Sequence, residues 1–420
     1  MKIALLIPDN RENFRNYDLM EPYFGTAPTA LLEGLALLTA EPCIHEIHVI
    51  SCTQKVMPAP SKLADNIWFH SLHVPKAGWL RSGYMGCGLA VRKKLKEITP
   101  DIVHAQGTER DCAISAVLSP YPRLLTIHGN LRLIKKQVGF KPFSAMWLQT
   151  FLEGYVVPRF DGVICITNYT RRAVEPEVPR TWVVPNAVDP AFLEIGDTRV
   201  RKFESGKVKS DGANYERDLP PSHLTTFAPS KQTPVILVVA NIDARKNQND
   251  FIRALDALAE KMPFQVNFFG KCGDDDYGRE FGALVATRPW CHYGGMVSRE
   301  ALLTEFQKAT ILALPTHEDN CPMVVLEAQA SGVPVIASNV GGVPDLVEDG
   351  VTGLLVNPQE PFTFHKAVER LIQGLYLRER LAAAAYHKAL QQYHPRVIAG
   401  KHLTIYESVV QEKQMIPLPK

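Results

Sequence analysis

The sequence predicts an α/β protein built from two doubly wound domains, on three observations. Short apolar runs recur in both halves, amphipathic stretches of helical period separate them, and one polar segment near the middle breaks the alternation. In the first half the runs are KIALLI, IHEIHVIS, DIVHAQ, RLLTIHG and DGVICIT; in the second they are PVILVVA, FQVNFFG, TILALPT and PVIAS. Runs this short and apolar throughout suit strands of a parallel sheet covered on both faces. Between them, APTALLEGLALLTA and QNDFIRALDALAEK repeat apolar residues every three or four positions, which supplies the crossover helices of βαβ units. Residues 195–231 are charged and aperiodic, the composition of a linker or surface excursion. The expected division is therefore a first domain over 1–194, a polar linker over 195–231, a second domain over 232–395 and a C-terminal segment, 396–420, returning to the first.

Length and composition agree with two cores. A chain of 420 residues, 46% hydrophobic, exceeds what one ordinary core organises. Lys plus Arg number 46 against 44 acids, and a net charge of +2 gives no reason to expect a nucleic-acid partner. The opening MKIALLIPDN is too short an apolar run for a signal peptide and reads as a first strand. No stretch approaches the ~20 apolar residues of a membrane-spanning helix. The eight cysteines are scattered without a CxxC pair, as reduced thiols of a cytoplasmic protein would be.

Open α/β sheets bind ligands beyond the carboxyl ends of their strands, so the residues after each run matter most. In TILALPTHEDNCPMVVLEA, Asp319 and Asn320 fall in a loop, Pro322 suits the first turn of a helix, and Gly332 and Pro334 end that helix. Its free N–H groups and positive dipole end would attract a diphosphate. Glu327, among Val324, Val325 and Ala328, needs hydrogen-bond donors if it is buried, and ribose hydroxyls would supply them. Taken alone, the acid pair also fits a helix cap and a structural carboxylate.

The residues around this pair resemble glycosyltransferase family 4, retaining enzymes of the GT-B fold that use nucleotide-sugar donors. The strongest block is THEDNCPMVVLEAQASGVPVIASNVGGVPDLVEDGVTGLLV, with an acid-x7-acid element, a small-Gly-x-Pro turn and a Gly-Gly-x-Pro-acid turn. PDIVHAQG, LLTIHGN, DGVICITNYTRR, VVPNAVD, VVANIDARKNQNDFIRAL and GGMVSREALLTEFQKA support it, in family order. The resemblance implies two Rossmann-like domains facing each other across a cleft, the first for the acceptor and the second for the donor. It implies that Glu327 holds the ribose hydroxyls and that Asp319 holds hydroxyls of the donor sugar. Glu318 stands beside Asp319, which is one methylene shorter than the family's usual Glu.

Backbone amides near Asn320, Cys321 and Met323 are then expected around sugar and phosphates, with Val297 of GGMVSR as a further substrate contact. Lys246 matches the family lysine that meets the leaving diphosphate. The preceding family arginine aligns with Asn241, and Arg245 is the substitute on offer. Gly25 and Thr26 open a helix whose amides could approach phosphate or acceptor. His128 sits at the family position facing the donor sugar, while His104 and Asn186 suit packing and hinge roles. No metal is implied, and GDDDYG, residues 273–278, reads as a solvated acidic loop. No cofactor is implied beyond the donor substrate.

The expected partners are a nucleotide-sugar donor and a sugar, lipid-linked or small-molecule acceptor, with the oligomeric state left open. Three other readings share the fold: a nucleotide-sugar epimerase, a catalytically silent nucleotide-sugar-binding protein, encouraged by Asn241 and Asp319, and a nicotinamide dehydrogenase, weakened by the lack of GxGxxG. Residues 131–152, LRLIKKQVGFKPFSAMWLQTFL, interleave Arg132, Lys135, Lys136 and Lys141 with aromatics. The leading expectation assigns those aromatics to core and cleft wall. Peripheral contact with an anionic membrane, at the inner face, is the lesser one.

Overall fold

Each continuous apolar run becomes a strand because it is covered on both faces. The computed structural model describes residues 1–38, 45–139, 141–210, 233–360 and 362–415. It divides into two units, Met1–Val188 with Gln392–Lys420, and Asp189–Gln391. In the first unit the strands are β1 (Lys2–Leu6), β2 (Glu46–Thr53), β3 (Lys62–Ala64), β4 (Ile67–His73), β5 (Ile102–Gln106), β6 (Arg123–Ile127), β7 (Gly162–Cys165) and β8 (Thr181–Val183). They form one sheet in the order β3-β4-β2-β1-β5-β6-β7-β8. All pairings are parallel except that of the short β3 on β4. β1 lies between β2 and β5, with Ile3 opposite both Ile47 and Ile102, so the strand order reverses at β1/β5.

The second unit holds β9 (Val235–Val239), β10 (Gln265–Phe269), β11 (Cys291–Tyr293), β12 (Ile311–Leu314), β13 (Val335–Ser338) and β14 (Leu354–Val356), in the order β11-β10-β9-β12-β13-β14. Every pairing is parallel, and the order reverses between β9 and β12. Such a reversal opens a crevice at the carboxyl edge of the sheet. The helix Gln248–Ala259 covers one face by burying Phe251, Ile252, Leu255 and Leu258, a helical stripe. Each such side chain contributes about 1.5–3 kcal/mol on burial.

Composition misleads at the domain boundary. Residues 195–210, expected as linker, continue a helix, Pro190–Ser210, that belongs to the second unit. Its Phe192 packs edge-on against Phe306. Its Arg199 is no solvated charge: the guanidinium donates to the carbonyls of Phe306, Gln307 and Ala309 at 2.8–3.2 Å and so caps the end of the helix Arg299–Lys308. Gly196 lets this helix touch the Met323–Ala330 helix, since a Cβ there would lie 2.0 Å from the Ala330 carbonyl. The rest of the polar stretch, 211–231, lies outside the described residues. At the other end of the chain, the helix Pro395–Met415 places Ile398, Ala399, Ile405, Tyr406 and Val409 in one core with Ile3, Leu5 and Leu35 of the first unit.

Among the described residues no helix is long and apolar enough to cross a membrane, and the seven cysteines are free thiols.

Candidate active site

The site of the second unit is assembled from the loops that leave β9 and β12, the strands flanking the reversal. After β9 the chain turns through Asp243, whose carboxylate accepts from the Lys246 amide at 3.0 Å, and through Asn247, buried in a left-handed conformation (φ 59°). This turn opens the helix Gln248–Ala259 and sends Arg245 and Lys246 toward the loop after β12. The two loops are tied together by Thr316. Its hydroxyl lies 2.8 Å from the Glu318 carbonyl oxygen and 3.0 Å from that of Arg245, while the His317 amide donates to Arg245 at 2.7 Å.

Two charge pairs result. Lys246 is bonded to the Asp319 carboxylate, and Arg245 donates to the Glu318 carbonyl at 3.1 Å with the Glu318 carboxylate 3.5 Å away. Burial and the neighbouring Asp319 raise the Glu318 pKa, opposed by both cations. Asn241, where the resemblance places an arginine, contributes its carbonyl, which accepts from Gln248. The cation nearest in sequence that reaches the acids is Arg245.

The helix Met323–Ala330 begins at Pro322 with no side-chain cap on its first amides. It is buried nearly all round, so Glu327 is a carboxyl inside an apolar helix, 7% exposed. Among the described residues no hydrogen bond or ion pair engages that carboxyl. Burial pushes its pKa up to about 7, and the charge of Arg299 pulls the other way. An orphan buried carboxyl of this kind costs free energy unless something donates to it. The Asp319 backbone is held from below: Gly342 donates to its carbonyl at 2.9 Å, and Gly341 (φ 56°) passes so close that a Cβ would lie 2.0 Å from that oxygen.

Asn320, Cys321 and Met323 lie on the same loop and helix start, with Cys321 buried. Val297 is half-buried in the loop before the helix Arg299–Lys308, which Ser298 caps. The acidic run after β10 is occupied locally: Asp275 caps the next helix through the Gly278 amide at 2.9 Å, and Arg279 pairs with Asp274 and Asp276.

His128, Gly25 and Thr26 belong to the first unit. His128 donates through Nε2 to the Gln106 side-chain oxygen at 2.8 Å, and burial, with His402 beside it, lowers its pKa to about 4. Gln106 also reaches His104, which is buried and bonded to Tyr406 and Thr126 at 2.7 and 2.8 Å. The turn that carries His128 rests on Glu109, whose carboxylate accepts from the Gly129 amide at 3.1 Å and whose pKa burial raises. Gly25 precedes the helix Thr26–Ala36 and provides no side-chain cap. A Cβ at Gly25 would meet only Pro28, at 3.6 Å, so the fold itself does not require glycine there.

Comparison with known proteins places this geometry in a family. Residues 43–192 match glycosyltransferase family 4, and residues 226–388 match glycosyl transferases group 1. A D-inositol 3-phosphate glycosyltransferase of Paenarthrobacter aurescens is 30% identical over 347 residues, 73% of this chain and 81% of that one. The chain belongs to this glycosyltransferase family. Enzymes of the same name from Thermobifida fusca and Corynebacterium diphtheriae are 37% and 39% identical over shorter stretches; there the chain spans about a quarter and about half of their length (23% and 47%). Among solved structures, a sucrose-phosphate synthase of Thermosynechococcus elongatus superposes with a TM-score of 0.72 at 17% identity, covering 98% of this chain and 100% of that one. Anabaena HepE in complex with UDP-glucose gives 0.63 at 16%, covering 97% and 100%. The shared fold is GT-B.

In this member of the family, the sequence alone does not single out Asp243, Thr316, Glu109 and Arg299. The first three act through backbone bonds that no spacing announces. Arg299 had a signal, since it follows Val297 by two residues at a capped helix start; its pairing with Asp189, at the far end of the unit's sequence, had none.

Proposed function

We propose that the protein is a retaining glycosyltransferase that moves a sugar from a nucleotide-sugar to an acceptor hydroxyl, using the second unit to hold the donor. The observation that carries the reading is the Glu327 carboxyl, buried and without a hydrogen-bond or ion-pair partner among the described residues, one turn inside a helix whose first amides carry no side-chain cap. A ribose diol supplies the missing donors, and the diphosphate takes the free amides and the dipole.

Transfer breaks the anomeric C–O bond to phosphate and makes a C–O bond to the acceptor on the same face of the sugar. The departing phosphate oxygen takes the acceptor's proton. Negative charge grows on the diphosphate, and Lys246 with Arg245 is set to meet it. Asp319 and the loop amides orient the sugar, with Glu318 as the second acid of that loop. His128, neutral at pH 7 with its pKa near 4, offers a hydrogen bond rather than a charge. With two protein cations at the diphosphate, neither a metal nor a cofactor is needed, so transfer is expected to persist in excess EDTA.

The acceptor class follows the relatives' name: D-inositol 3-phosphate is the first acceptor to try, ahead of sugar and lipid-linked alternatives. A panel of UDP-, GDP- and ADP-sugars read by thermal shift, then by product mass and anomeric configuration with each acceptor, tests the reading. Stabilisation by one donor series and transfer with retention are expected. A folded protein that no donor stabilises, or one that returns an epimerised donor without transfer, overturns it.

A further inference from the structure

Of the aromatics of residues 131–152, expected in core and cleft wall, Phe143 and Phe151 are not in the core. Phe143 is 88% exposed and Phe151 64%, with Met146 and Tyr155 also exposed. The helix Ala145–Val156 turns Thr150, Glu153 and Val156 inward and carries Trp147, Phe151 and Tyr155 on the opposite side at four-residue spacing. Phe143, in a left-handed conformation (φ 62°), extends the row: its ring is 5.3 Å from Trp147, which stacks 6.4 Å from Phe151. A bulky residue at positive φ with its ring in solvent is a cost the fold does not recover internally.

The rings of Trp147, Phe151 and Tyr155 floor a groove of about 760 Å³ rimmed by Arg132, Lys135 and Arg159. The acids beside it, Glu153 and Glu177, are both bonded to Arg132. Even so, the Arg132 Nη2 is buried without an acceptor among the described residues. Lys135 and Arg159 have no carboxylate partner among the described residues and lie over the Trp147 and Tyr155 rings. Gly154 sits in the groove wall inside the helix, where glycine costs ~1 kcal/mol relative to alanine. Nothing lies within 4 Å of a Cβ built on it, so packing does not account for the glycine. Phe140 lies outside the described residues, and so does the Lys136 side chain.

We propose that this face, formed by the helices Leu131–Val138 and Ala145–Val156, docks on an anionic membrane surface. Phe143, Met146 and Phe151 enter the boundary between headgroups and acyl chains, Trp147 and Tyr155 sit at headgroup level, and Lys135 and Arg159 meet lipid phosphates, with an acyl segment along the groove. Unpaired cations interleaved with exposed aromatics match such a surface in both charge and polarity. The inference does not depend on the transfer reaction, since it rests on the first unit's surface alone.

The test is flotation of the full chain with phosphatidylcholine vesicles with and without phosphatidylglycerol, at low and high salt. Salt-sensitive flotation is expected with the anionic vesicles only. The variant Lys135→Gln with Arg159→Gln should weaken it by about 30-fold, from roughly 1 kcal/mol per cation near an anionic surface. Phe143→Ser with Phe151→Ser should abolish it while circular dichroism stays unchanged, because both rings are exposed. Brominated lipids should quench tryptophan emission, and Trp147→Phe should remove the quenching. Absence of flotation, equal flotation on phosphatidylcholine alone, or indifference to both double variants overturns the proposal.

Discussion

Lys246 and Asp319, 73 residues apart in the chain, form an ion pair that joins the loop after β9 to the loop after β12. Without a donor, the cation assigned to the diphosphate is therefore held by the acid assigned to the sugar. An incoming diphosphate must compete with Asp319 for Lys246. Asp319→Asn removes the competing charge and leaves the amide able to bond a sugar hydroxyl less strongly. That variant should bind free nucleoside diphosphate more tightly than wild type, by a few-fold, while transferring more slowly. Lys246→Ala should lose both binding and rate, the rate by ~100-fold or more, as when a transition-state donor is removed. Calorimetry with the nucleotide alone separates the cases: equal or weaker binding by Asp319→Asn would mean the pair does not gate the lysine.

Glu327 makes the second unit lose stability as pH rises from mildly acidic to neutral. Its folded pKa, about 7, lies above the ordinary 4.5, so the neutral form is favoured in the fold. Stability from this group is fully present below pH ~4.5 and is lost as pH rises through ~7, by on the order of 3 kcal/mol. Glu327→Gln should flatten that dependence and be more stable than wild type at pH 8, yet transfer poorly. Donor hydroxyls bonding the carboxylate should lower its pKa, so donor binding near pH 7 should release a proton. Calorimetry in buffers of different ionisation enthalpy would register that release; none would be seen if ribose lies elsewhere.

The first unit has the opposite sign. His128 and His402 are held neutral by burial, each with a pKa lowered to about 4, and His104 is lowered too. In the unfolded chain they protonate near 6.5, so their stabilising effect is present above pH 6.5 and is lost as pH falls toward 4. Hydrogen exchange should report amides of β5 and β6 losing protection across that window, and His402→Gln should reduce the loss. Amides of β9 and β12 should instead lose protection as pH rises from about 4.5 to about 7.

The fold was legible because its strands are buried on both faces: a run such as PVILVVA has no polar position to misassign, and β9 follows it closely. The family was legible because residues 316–356 carry the acid-x7-acid element and both glycine–proline turns in one continuous block. The linker was not, because Arg199 bonds main-chain carbonyls, and sequence does not distinguish such an arginine from a solvated one. Nor was the exposure of Phe143 and Phe151: an aromatic row at four-residue spacing looks the same whether it faces a core or faces out. Spacing selected Arg245 and Lys246 together but could not say which acid each would meet; the turn at Asp243 and Asn247 decides that.

The glycines of NVGGVPD carry the last prediction. Gly341 has φ 56°, where an L side chain costs about 1–2 kcal/mol, and a Cβ there would press on the Asp319 carbonyl oxygen at 2.0 Å. Backbone cannot swing aside as a side chain can, so the loop bearing Asp319 must move. Gly350 offers a control in the same unit: its φ is 71°, yet nothing lies within 4 Å of a Cβ built on it. Gly350→Ala should therefore incur the conformational cost alone, lowering stability by about 1–2 kcal/mol with transfer intact. Gly341→Ala should lose more stability than Gly350→Ala and also most of its transfer, because Asp319 no longer meets Lys246. Thermal melts and rates on the two variants side by side isolate the contact. If the two alanines cost the same and both enzymes turn over normally, the close approach of Gly341 to Asp319 plays no part in setting the site.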